Sequence, residues 1–152
     1  MLKMKLAESS HHRLETFFRE FLCDKTFQLP TINFYAGRFS RILTLILQVH
    51  GITFGRHIFI TPDLIAKNYE SRQKLSLELA AHEIVHVLQY KKEGFIRFFY
   101  KYLTSYWRTL RTKKNWNADS RHEAYLEIPF EREAREIAAE FVRWNRDKKI
   151  TG

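Results

Sequence analysis

Residues 79–90 read LAAHEIVHVLQY, and no other stretch limits the fold as strongly. On a helix of 3.6 residues per turn, Leu75, Leu79, His82, His86 and Gln89 fall along one line. Leu77, Ala81, Ile84, Val85 and Leu88 fill much of the remaining surface. A helix that is apolar on so many sides must be covered on most of them, so the rest of the chain has to pack around it. Ser71 suits the N-cap, Lys91 and Lys92 suit the negative C-terminal end, and Gly94 is a stop; together they predict a helix over 72–93.

Two imidazoles and a carboxylate are out of place in so apolar a helix unless something compensates them. His82 and His86 lie about 40° apart, one turn along the same face. So placed, they can bind one Zn²⁺ through nitrogens about 2.1 Å from it. Glu83 lies next to that face, where it reaches a water on the metal rather than the metal itself. The pattern H-E-x-x-H therefore predicts hydrolysis through a zinc-activated water: the metal lowers the water's pKa, Glu83 acts as general base, and the hydroxide attacks a carbonyl. A catalytic zinc needs a third protein ligand. An extended motif would place a glycine and a third histidine where Gln89 and Lys92 stand, so that class is excluded. His122, Glu123, Glu127, Glu131 and Glu133 remain. In the last helix Glu131 and Glu133 flank the stripe of Phe130, Ala134, Ile137 and Phe141 on opposite sides, each about 80° from its centre. Periodicity does not choose between them.

The surrounding chain reads as α+β and mostly helical, with a small sheet or hairpin beside the H-E-x-x-H helix. Leu14, Phe17, Phe18, Phe21 and Leu22 recur at helical spacing and predict a helix over 10–27. TINFYAG (31–37) predicts a short strand, and FSRILTLILQVHG (39–51) a buried helix closed by Gly51. ITFGRHIFITP (52–62) reads as a strand or tight hairpin, bent at Gly55, with Phe54, Ile58 and Ile60 on one parity. Thr61-Pro62 resembles a helix entry. A helix over 95–111 carries Arg97, Lys101, Thr104, Arg108 and Arg111 on one stripe, with aromatic residues over the remainder. That pattern suits a core helix with a solvated cationic edge, or a surface helix that meets lipid or protein. TKKNWNADS (112–120) reads as a polar loop, 128–145 as the last helix, and KKITG as a loose tail.

The 152 residues suit one domain, 1–152, and 45% apolar residues supply a core. The net charge of +9 attracts acidic proteins or anionic surfaces without naming one; no specific nucleic acid is predicted. Cys23 is the one cysteine, so no intrachain disulfide or cysteine metal cluster forms. The first residues lack the apolar run of a signal peptide, and no stretch is long and apolar enough to span a membrane, which makes a cytoplasmic location the expectation.

With these residues in view, the chain resembles minimal zinc-metallopeptidase-like domains of the gluzincin, zincin-like type. In particular it is similar to an uncharacterised bacterial family of small H-E-x-x-H domains often encoded near secretion and toxin systems. TFGRHIFI (53–60) resembles that family's T-x-G-x-x-I-x-F segment. LAAHEIVHVLQ (79–89) is similar to its active-site helix, Gln89 included, and FEREAREIA (130–138) to its closing E-x-E-A helix. The likeness spans about residues 45–140. It implies that the third zinc ligand is a glutamate followed by alanine, which is Glu133 before Ala134. It also implies that TFGRHIFI is a strand beside the cleft, and that the substrate is a peptide or protein cleaved at peptide bonds. Tyr125 and His122 are then the first candidates for an oxyanion donor, ahead of Tyr102 and Tyr106. Two other functions compete: a non-catalytic metal-stabilised binding module, and a basic adaptor for nucleic acid or membrane surfaces.

Overall fold

The computed structural model describes residues 2–4, 6–36, 51–54, 57–60 and 76–150. The expected helix over 39–51, the bend at Gly55, the entry at Thr61-Pro62 and the cap at Ser71 lie largely or wholly outside them. In order along the chain come β1 (Leu2–Met4), α1 (Glu8–Phe21), β2 (Asn33–Ala36), β3 (Gly51–Phe54) and β4 (His57–Ile60). Among the described residues four helices follow: α2 (Leu77–Glu93), α3 (Phe95–Thr112), α4 (Ala118–Leu126) and α5 (Pro129–Ile150). The fold is α+β and mostly helical.

The strands form one mixed sheet in the order β1-β2-β4-β3. β2 and β4 run parallel, with Phe34 opposite Ile58, while β1 and β3 close the two sides antiparallel. Both Phe34 and Ile58 are fully buried and turn the same sheet face toward the helices. ITFGRHIFI is thus a hairpin. Its register pairs Thr53 with Ile58 and Phe54 with His57, so the parity expected to run from Phe54 to Ile60 does not survive the chain reversal. β1, a short strand at the N-terminal end, has no signal in three residues of LKM.

One apolar core joins the sheet to three helices. Leu14, Phe17 and Phe18 enter it from α1, Ala80, Ala81, Ile84 and Val85 from α2, and Ala134, Ala138 and Phe141 from α5. α2 has its most extensive packing against α5 and also lies against β3. Ala80 and Ala81 of α2 and Ala134 and Ala138 of α5 are at most 3% exposed; their small side chains let the two helix backbones come close together. Burying a large apolar side chain such as Ile84 or Phe141 contributes about 1.5–3 kcal/mol, so the α2–α5 contact is a firm support for anything built on it.

Gly94 ends α2 and starts α3. Its φ of 77° lies in the left-handed region that glycine enters without steric cost. This glycine lets α3 double back over α2, where Phe98 packs on Tyr90 with ring centroids 4.1 Å apart and on Phe130 at 4.5 Å. The expected polar loop is shorter than 112–120. Asn117 accepts a hydrogen bond from the Ser120 N–H at 2.9 Å and caps α4, which the sequence pattern did not reveal. The helix expected to end at 145 continues to Ile150, so most of the supposed tail is helical. No described helix is long and apolar enough to cross a membrane.

Candidate metal centre

α2 delivers His82 and His86 side by side, with their Nε2 atoms 3.1 Å apart. The first turn of α5 brings Glu131 to the same point. Its Oε2 lies 3.3 Å from His82 Nε2 and its Oε1 3.4 Å from His86 Nε2. Three ligands at about 2.1 Å from a tetrahedral zinc would be separated by about 3.4 Å. The spacing therefore fits one small cation held by two imidazoles and a carboxylate, which is an ordinary donor set for zinc. Among the described residues this trio is the group of histidine and acidic side chains gathered closely enough to hold a metal.

The glutamate placed against the two imidazoles is Glu131 and not Glu133. Glu131 is buried to 4% exposure, whereas Glu133 is exposed and accepts a hydrogen bond from Gln89 Nε2 at 2.9 Å. The reason lies in the face that α5 buries. The inward line runs through Glu131, Ala134, Ala138 and Phe141. Including Ala138 turns the centre of the buried face by about 20° toward Glu131 and away from Glu133. The small alanine was the available signal; the stripe drawn through Phe130 and Ile137 overlooked it. Of the other candidates, Glu123 is exposed and paired with Lys113 at 2.6 Å, and Glu127 is exposed at the end of α4.

Glu131 is held from both sides. Tyr102 donates a hydrogen bond to its Oε1 at 2.9 Å and Tyr125 to its Oε2 at 2.7 Å. Burial, reinforced by the negative charge of Glu131, pushes both phenols well above their ordinary range, so they stay protonated and remain donors. Burial would also raise the Glu131 carboxyl, but hydrogen bonds and charge from His82 and His86 outweigh it and hold the group well below the usual carboxylate range. Tyr125, expected as an oxyanion donor, is thus committed to the carboxylate, and so is Tyr102. His122 is exposed, with its ring 6.2 Å from that of Tyr125. Tyr106 has its ring 5.9 Å from that of Trp107.

Gln89 fixes His86 from behind. Its Nε2 donates to the Phe130 carbonyl at 3.1 Å and to Glu133, so its Oε1 is left to accept from His86 Nδ1 at 2.8 Å. The proton is thereby placed on Nδ1 and Nε2 is turned toward Glu131. Such outer partners typically contribute 10–100-fold to metal affinity. Gln89→Leu is expected to weaken zinc binding by about that factor, read by competition with a chromophoric chelator; an unchanged affinity would deny Gln89 this role.

His86 also sets a pH dependence. Burial lowers its pKa, but the hydrogen bond and charge of Glu131, with the charge of Glu83, overcome this and raise it from 6.5 to about 9. Because the folded value is the higher one, the ion pair stabilises the metal-free protein fully below about pH 6.5, and that contribution is lost as pH rises through about 9. A metal must displace the same proton. Zinc affinity is therefore expected to rise about tenfold per pH unit between pH 6.5 and 8.5; a flat profile over that range would contradict the protonated pair.

Glu83 follows His82 on α2 and is 3% exposed. β3, which packs on α2, ends the sheet among the described residues.

A family model described as the eCIS core domain matches residues 11–94, more than half of the chain. The match takes in most of α1, β2 to β4 and the whole of α2 with His82, Glu83 and His86, and it ends before Tyr102, Tyr125 and Glu131. No curated protein and no solved structure matches the chain. By this match the chain belongs to the eCIS core domain family, which is linked to extracellular contractile injection systems and agrees with the resemblance to domains encoded near secretion and toxin systems.

Proposed function

We propose that this protein is a zinc-dependent peptidase of zincin-like type, with the metal held by His82, His86 and Glu131 and with Glu83 as general base. The observation that carries the reading is the convergence of two imidazole nitrogens and one buried carboxylate at 3.1–3.4 Å from one another. When bound, zinc supplies Lewis acidity that activates water and polarises a carbonyl. Glu83 accepts the proton of the attacking water and returns it to the departing amine. Gln89 keeps His86 in the tautomer that presents Nε2, and Tyr102 and Tyr125 keep Glu131 aimed. The side of β3 that pairs with no strand among the described residues, beside α2, offers backbone groups with which an extended peptide pairs as an added strand.

The test is metal analysis of protein purified without chelators, together with a cleavage assay on an unfolded protein. One zinc per chain and cleavage that stops with chelator and returns with zinc are expected. One zinc per chain without cleavage of any unfolded protein would favour the metal-stabilised binding module, and protein that takes up no zinc would reject the centre altogether.

A further inference from the structure

The outer face of α3 takes no part in the centre just described. Its inner face points Phe98 into the core and Tyr102 at Glu131. On the opposite side, Ile96, Tyr100, Leu103 and Trp107 recur at intervals of four, three and four residues, within about 60° of arc. They are exposed at 84%, 69%, 50% and 46%. Trp116, just beyond the helix and 56% exposed, sets its ring 5.8 Å from that of Trp107 and extends the stripe. Single exposed apolar residues are ordinary, but a continuous line of five is not.

The charge beside that line identifies what it meets. Arg97, Lys101, Arg108 and Arg111 form a parallel stripe about 90° around the helix, and α3 contains no acidic residue. Arg97 and Lys101 lie near Glu93, at 3.5 and 2.7 Å, whereas Arg108 and Arg111 are exposed at the tryptophan end. An apolar stripe of aliphatic and tryptophan side chains bordered by arginines matches the boundary of an anionic bilayer. Apolar groups there enter the acyl region, indoles sit at headgroup level and guanidiniums meet phosphate. A purely polar polyanion would satisfy the cations but would leave Ile96 and Leu103 without an apolar partner.

We infer that the outer face of α3, with Trp116, docks this protein on the surface of anionic phospholipid bilayers. The helix lies in the plane of the interface without spanning it, and the inference does not depend on the metal centre. The test is flotation of the full chain with phosphatidylcholine vesicles, with and without phosphatidylserine, beside tryptophan fluorescence. The expected results are binding to the anionic vesicles only and a blue shift of emission on binding. Affinity should fall at least about 30-fold in R108E/R111E, since each basic residue near the surface is worth about 1 kcal/mol and the new carboxylates are repelled, and also fall in I96S/W107S. Lack of flotation with anionic vesicles would overturn the proposal. So would flotation of I96S/W107S equal to that of the unaltered chain, which would show attraction to polyanions alone. Heparin binding lost in the charge variant but kept in I96S/W107S is the expected control. All substituted side chains are exposed, so circular dichroism should be unchanged.

Discussion

Glu131→Gln is expected to weaken zinc binding by more than about a hundredfold, because a directly coordinating carboxylate matters more than the outer partners whose loss costs 10–100-fold. Glu133→Ala should change it by less than about tenfold, through the hydrogen bond to Gln89. Paired measurement is what makes the result decisive. If Glu133→Ala lost the metal and Glu131→Gln kept it, the ligand assignment would be reversed. Stability of the metal-free protein gives a second reading. Glu131→Ala leaves the buried, charged His86 and two tyrosyl hydroxyls without their shared acceptor. Removing one partner of a buried ion pair costs about 3–5 kcal/mol. Urea unfolding of the metal-free variant at neutral pH should show a loss of that order, shrinking as pH rises through about 9, where His86 sheds its proton. A loss independent of pH would point to packing in place of charge.

Glu83→Gln should have the largest effect on turnover and almost none on the metal. The amide keeps the size of the carboxylate but accepts no proton, and positioned proton transfer typically contributes about a hundred- to ten-thousandfold. Cleavage should fall by that factor while one zinc per chain is retained. Preserved turnover would remove Glu83 from the chemistry. Loss of zinc in this variant would instead assign the residue to support of His82 and His86.

The proposed lipid docking by α3 and the proposed peptide cleavage at α2 are separable. The two faces of α3 are opposite, so I96S/W107S leaves Tyr102 on Glu131. A protein that binds bilayers normally after Glu131→Gln, and one that holds zinc normally after I96S/W107S, would each isolate one function.

His82, Glu83 and His86 were legible in the chain itself because all three belong to one helix. Spacing along a helix fixes relative direction without reference to any other element. The apolar remainder of that helix likewise required a covering fold, and Gly94 announced the turn into α3. The hairpin was visible in ITFGRHIFI, but its register was not, because pairing reverses parity at the turn. Tertiary packing alone decided which glutamate stands against His82 and His86. Glu131 and Glu133 were equivalent about the stripe drawn from large apolar residues, and α5 broke the tie by burying Ala138 against α2, which rotated Glu131 inward. Tyr102 and Tyr125 converge on that carboxylate from two different helices, 29 and 6 residues away in the chain. No periodicity within a single segment encodes a meeting of side chains from separate elements, whose distances are set only when the elements pack.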